Sequence, residues 1–120
     1  MQCQQNNLFG GGGYAVKDKL LFMAGLARRA RKLSAGSFTC EKMIKSGRAK
    51  LIIIAEDASK NTKKQFTDAC RYYNVPIIEY SDMETIGKTV GVEARAVISV
   101  NDKNFAEAIS DIYSKIVQGM

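Results

Sequence analysis

From residue 17 onward the chain alternates short unbroken apolar runs with longer segments in which apolar residues recur every three or four positions. Leu20, Ala24, Ala27 and Ala30 share one face of a predicted helix, while Lys19, Arg28, Arg29, Arg31 and Lys32 fall on the others. A second helix is expected over 37–46 with Met43 and Ile44 inward, followed by an apolar strand over 50–55. The spacing of Phe66, Ala69, Cys70 and Tyr73 predicts a helix over 59–73, which Asn74 and Pro76 end. Residues 76–80 form the next strand. Ser81-Asp82-Met83-Glu84 has the form of a capping box, opening a helix that turns Met83, Ile86 and Val90 inward and stops near Gly91. A last strand over 95–100 leads to a helix capped by Asn101, with Phe105, Ile109, Ile112, Ile116 and Val117 as its inward stripe.

Strands that are apolar on both faces must be covered on both faces, so alternation of such strands with helices implies an α/β fold. The expected architecture is a three-layer α/β/α sandwich around a small, largely buried sheet. A short extra strand near Ser34 and Ala35, paired at an edge, makes that sheet mixed.

Composition sharpens the picture at the amino end. Residues 1–16 carry no charge and include the run Gly10 to Gly13, a composition that buries too little to offset the entropy of ordering it. This stretch is expected to be a flexible leader, with residues 17–120 forming a single domain. The chain has no apolar run of membrane-spanning length and no secretion signal, so the expected location is cytoplasmic. Three widely spaced cysteines without a single histidine support neither a disulfide framework nor a zinc site. Cys40 and Cys70 are read as small buried hydrophobes.

The charge distribution then selects a partner. Residues 17–50 hold ten Lys or Arg against Asp18 and Glu41, a net of +8, whereas residues 51–120 hold eight against ten acidic, a net of −2. A basic segment of this kind suits nucleic acid better than a membrane surface, since its helix lacks Trp and no polybasic tail follows. Catalytic readings fare poorly. Without histidine the common Ser/His and Cys/His nucleophiles are absent. Gly87-Lys88-Thr89 lacks the upstream glycine and the strand that a phosphate-binding loop needs. Glu56-Asp57 is the one carboxylate pair at a strand end, and helix capping by Asp57 explains it more simply than acid–base chemistry. The protein is expected to be non-enzymatic, without metal or cofactor.

Binding chemistry is easier to place. A small, hydroxyl-bearing turn at Gly36-Ser37 opens the second helix, whose first N–H groups and partial positive charge suit phosphate or an exposed base. Arg31, Lys32, Lys42, Lys60 and Lys63 can neutralise phosphates around that turn, the 56–58 loop and the Thr89 to Val92 turn, with Glu56 and Asp57 accepting from bases. Val90 and Val92 can pack against an unstacked nucleotide, although core packing in the fourth helix explains Val90 more simply. Phe38 is either a buried anchor or a stacking platform.

Four segments in order carry a family resemblance: Leu26-Ala27-Arg28-Arg29-Ala30-Arg31-Lys32-Leu33-Ser34-Ala35-Gly36, Lys50-Leu51-Ile52-Ile53-Ile54-Ala55-Glu56-Asp57-Ala58-Ser59, Tyr73-Asn74-Val75-Pro76 and Ile86-Gly87-Lys88-Thr89-Val90-Gly91. Together they resemble the kink-turn-binding ribosomal protein family L7Ae, related to L30e, and within it the small bacterial ribosomal protein-like members. The resemblance implies the sandwich reached above and an RNA-binding edge. That edge combines the start of the second helix, the loop after the Ala55 strand and the loop around Val90 and Gly91. In the family's motif an Asn and a Glu read guanines of tandem G·A pairs. Gly36, Ser37 and Lys42 match that motif, but Phe38 and Thr39 occupy the reading positions. Neither side chain offers the required hydrogen bonds, and each lost bidentate contact costs about 1–3 kcal/mol of discrimination.

The expected function is therefore non-enzymatic binding of structured RNA, ribosomal or other, by a ribonucleoprotein component acting in translation. The alternative is a protein-interaction module of the same fold with a degenerate RNA motif.

Overall fold

The structure, a computed structural model, describes residues 19–91 and 93–118. The expected leader over 1–16, the start of the first helix at Lys17 and the side chain of Val92 lie outside the described residues. The elements run α1 (Lys19–Arg29), β1 (Leu33–Ala35), α2 (Ser37–Lys45), β2 (Leu51–Ile54), α3 (Lys60–Tyr73), β3 (Ile77–Glu79), α4 (Met83–Thr89), β4 (Val97–Val100) and α5 (Lys103–Gln118).

The sheet has strand order β1-β4-β2-β3. β2 pairs parallel with β3, whereas β4 runs antiparallel to both β2 and β1. The short strand near Ser34 thus exists and sits at an edge, but the sheet is already mixed at its centre. Every residue of β2 and β4 is buried, because α1, α4 and α5 cover one face and α2 and α3 the other. Leu51, Ile52, Ile53, Ile54, Val97, Ile98 and Val100 supply the central layer of the core. Ile44 and Phe66 are buried from the α2/α3 side, and Leu20, Ile86 and Ile109 are likewise fully enclosed. Burying a side chain of this size contributes about 1.5–3 kcal/mol, which is why these short strands hold.

Some local expectations need correction. The α4 cap is Asp82, not Ser81: Asp82 is extended and accepts from the Thr85 N–H at 2.7 Å, while Ser81 has φ 64, outside the conformation an N-cap requires. That hydrogen bond holds the Asp82 carboxyl below the usual range. At α5 the capping acceptor is Asp102, on the Phe105 N–H at 3.0 Å. Asn101 instead links two strands, accepting from the Ser99 hydroxyl at 2.7 Å and donating to Ser34 Oγ at 2.9 Å. Ser99 is the buried polar residue of the core, so this network keeps its hydroxyl satisfied. Tyr73 and Val117, both expected inward, are exposed near the carboxyl ends of their helices.

Candidate nucleic-acid interface

The edge formed by the ends of β1, β2 and β3 and the start of β4 is tied together by backbone hydrogen bonds. The Gly36 N–H donates to Val97 O at 3.1 Å, the Ala55 N–H to Ala96 O at 2.8 Å and the Glu56 N–H to Ser81 O at 2.8 Å. Asp57 Oδ1 accepts from the Met83 N–H at 2.9 Å, and the Arg95 N–H reaches Met83 O at 3.1 Å. Asp57 therefore braces α4 rather than capping α3, whose cap is Ser59 accepting from the Thr62 N–H at 3.1 Å. The loop after β2, the start of α2 and the segment before β4 become one continuous rim.

Gly36 takes φ 98 and ψ 147, a conformation essentially confined to glycine. It lets the chain leave β1 and enter α2 without an intervening loop. No side chain caps α2, so the first N–H groups at Ser37, Phe38 and Thr39 point outward without intrahelical acceptors. Phe38 is not the buried anchor: it is 76% exposed. Lys42, one turn on, places Nζ 5.5 Å from the ring centroid. An exposed aromatic face held beside a cation has the form of a base-stacking platform.

Among the described residues, Lys42 and Lys60 form no ion pair, while Lys63 is held by Glu79 at 3.3 Å at the end of β3. Glu56 is exposed on the rim. Val90 is 1% exposed and belongs to the core, so its side chain does not face a ligand. Gly91 beside it is exposed. Arg31 and Lys32 do not join this rim. They precede β1, whereas Gly36 follows it, and the pairing of Leu33 with Val100 and of Ala35 with Ile98 sets them at the opposite end of the sheet.

Two further cations that spacing alone did not single out lie beside the Gly36 and Gly91 turns. The Arg95 Nε would lie 3.8 Å from a Cβ on Gly36, and the Arg28 guanidinium 3.7 Å from a Cβ on Gly91. Arg95 was hidden because only the antiparallel pairing of β1 with β4 brings it to the α2 start. Arg28 lay within the basic run that helical periodicity assigned to solvent.

Among the described residues no group of His, Cys, Asp and Glu is disposed to hold a metal, and no helix is long and apolar enough to cross a membrane. Burial pushes the Cys40 thiol up to about 12 and the Cys70 thiol up to about 11, with the nearby Cys70 adding to the effect at Cys40. Neither is a poised nucleophile.

Comparison with known proteins agrees with this architecture. The model of the ribosomal protein L7Ae/L30e/S12e/Gadd45 family matches residues 18–109. The RNA-binding protein YlxQ of Bacillus subtilis is 44% identical over 87 residues, 72% of this chain and 87% of that protein. The large ribosomal subunit protein eL8 of Thermoplasma volcanium is 27% identical over 106 residues, 88% of this chain and 85% of that one. A solved structure of a protein of unknown function from Bacillus halodurans superposes with TM-score 0.77 at 32% identity, covering 80% of this chain and 97% of that chain.

Proposed function

The chain belongs to the ribosomal protein L7Ae/L30e/S12e/Gadd45 family, and from that premise we propose that it is a non-enzymatic protein that binds structured RNA through the Gly36 rim. The observation that carries this reading is the uncapped start of α2 flanked by Lys42 and Arg95, with the Phe38 ring exposed between solvent and Lys42. Outward N–H groups and the two cations take phosphates, and Phe38 stacks on an unpaired base. Lys60 adds a further cation, and Glu56 is free to accept from a base amine.

Relatives named as an RNA-binding protein and as a ribosomal subunit protein support the RNA class and make ribosomal RNA the first ligand to test. Phe38 and Thr39 make recognition depend on stacking and backbone shape more than on G·A pairs. The protein-interaction alternative calls for a contiguous apolar patch. Here the exposed ring lies beside an ammonium group instead.

The test is a titration of the full chain with a kink-turn RNA, the same RNA with its G·A pairs replaced, and an unrelated hairpin, at dilute and physiological salt. Binding should fall steeply with salt, and Lys42→Ala should weaken every RNA alike and flatten the salt slope by about one unit. Failure to bind any of the three at dilute salt would sink the proposal.

A further inference from the structure

The opposite end of the sheet carries a second cationic surface. Arg31, Lys32, Arg48 and Lys50 line one open depression of about 500 Å³, together with the Ser34 and Asn101 side chains that the Ser99 network fixes in place. No carboxylate lines it. All four cationic residues are exposed, and none forms an ion pair among the described residues. Lys50 Nζ makes only a hydrogen bond to Gly47 O at 3.3 Å. The contrast with the helices is informative. Lys45, Lys64, Lys88 and Lys115 each lie within 4 Å of an acid four residues before or after them, at Glu41, Asp68, Glu84 and Asp111. Those four helix lysines thus come with a local counter-charge, whereas Arg31, Lys32, Arg48 and Lys50, like Lys42 and Lys60 at the Gly36 rim, do not.

The depression also borders an aromatic one. Gly47 and Lys50 also line a neighbouring hollow of about 380 Å³, lined in part by Tyr73, Asn74 and Pro76 and equally free of carboxylates. Tyr73 is 41% exposed, and Tyr72 holds it edge-on with centroids 4.8 Å apart. Cations lacking counter-charge repel one another within a Debye length of about 10 Å, and a polyanion relieves that repulsion. A cluster of cations beside an exposed aromatic ring suits a flexible nucleic-acid strand, whose phosphates meet the cations while a base stacks.

Resting on the RNA-binding function above, we propose that this end is a second RNA site, which takes a single-stranded segment with its phosphates on Arg31, Lys32, Arg48 and Lys50 and a base on Tyr73. The two sites lie at opposite ends of β1, so one protein engages a folded RNA element at the Gly36 rim and an adjoining or separate unpaired strand here.

The experiment titrates the full chain, the double variant Arg48→Gln/Lys50→Gln and the variant Tyr73→Ser with a uridine oligomer of about ten nucleotides and with a blunt-ended hairpin whose unpaired bases are confined to a tight loop, too short to span the four cations. Circular dichroism confirms that each variant is folded. The oligomer should bind the original protein with a steep salt dependence, about 10-fold more weakly after the double substitution and several-fold more weakly after Tyr73→Ser. Hairpin affinity should be unchanged by either. Oligomer binding that survives the double substitution, or that is lost on Phe38→Ala instead, would overturn the second site, as would an oligomer that does not bind at all. Tighter capture of anionic lipid vesicles than of the oligomer, lost in the same double variant, would overturn it in favour of a membrane surface. A hairpin that fails to bind while the oligomer binds would count against the Gly36 rim and leave the second site supported.

Discussion

Arg95 lies across Gly36, its Nε 3.8 Å from where a Cβ on that glycine would stand. That distance is ordinary van der Waals contact, so the cost of a side chain at Gly36 comes from its φ of 98 rather than from Arg95. Gly36→Ala should therefore lower stability by about 1–3 kcal/mol. Arg95→Ala should leave stability within about 0.5 kcal/mol and weaken binding of structured RNA while flattening its salt slope. Urea unfolding and RNA titration of both variants separate the two effects. Equal loss of stability in both would mean that Arg95 is structural.

Gly87 positions the same segment from the other side. A Cβ there would collide with the backbone of Glu93 and Ala94, which cannot swing aside as a long side chain can. Gly87→Ala should cost about 1–3 kcal/mol by overpacking. It should also displace Arg95, whose N–H is tied to Met83 O at 3.1 Å, and so weaken RNA binding where a mere loss of stability at ambient temperature would not. An unchanged thermal midpoint would show that the Glu93 and Ala94 backbone is free to move away.

The layers of the fold were legible because β2 and β4 are short, wholly apolar runs and α3 and α5 repeat their apolar residues at helical spacing. Strand direction was not legible. Sequence alternation does not reveal that the chain turns back after α4 to set β4 antiparallel; that reversal carries Arg95 to Gly36, while the extension of β1 itself sets Arg31 and Lys32 at the other end of the sheet. Caps were misplaced by one residue at α4 and α5 because Ser81 and Asp82, like Asn101 and Asp102, are adjacent capable acceptors. Backbone conformation chooses between them, and Ser81 is excluded by its positive φ. For Phe38 the sequence offered both burial and exposure, and only the tight Gly36 entry into α2 turns the ring outward.

The buried thiols give a pH signature. The single Cys40 S–H has two carbonyl acceptors in reach, Ser34 O at 3.6 Å and Val97 O at 3.7 Å, and burial holds Cys40 and Cys70 at about 12 and about 11. In the unfolded chain a thiol ionises near 8.5, so folding is favoured by both groups below about pH 8.5 and progressively less as pH rises toward the folded values. In a Cys3→Ser background, iodoacetamide at pH 8 should alkylate neither residue until urea unfolds the protein. Urea midpoints should fall above about pH 8.5, and a Cys40→Ala/Cys70→Ala variant should lose part of that slope. Rapid alkylation of the folded protein would show that these helices open locally.

The clearest test of the Gly36 rim uses the two positions at which it departs from the family's RNA-reading motif. Phe38 and Thr39 occupy the second and third positions of α2, beside the outward N–H groups and ahead of Lys42. Phe38→Asn with Thr39→Glu restores an amide and a carboxylate there, each able to pair with a guanine edge. At about 1–3 kcal/mol per contact, discrimination between a kink-turn and the same RNA without its G·A pairs should rise about 10-fold or more. Affinity for the altered RNA should drop slightly, since the stacking platform is lost while Lys42, Lys60 and Arg95 remain to hold phosphates. Stability should change little, because the ring that is removed is 76% exposed. Equal discrimination by the original and doubly substituted proteins, both folded, would mean that the start of α2 does not face the base pairs, and the exposed ring would then belong to a protein partner.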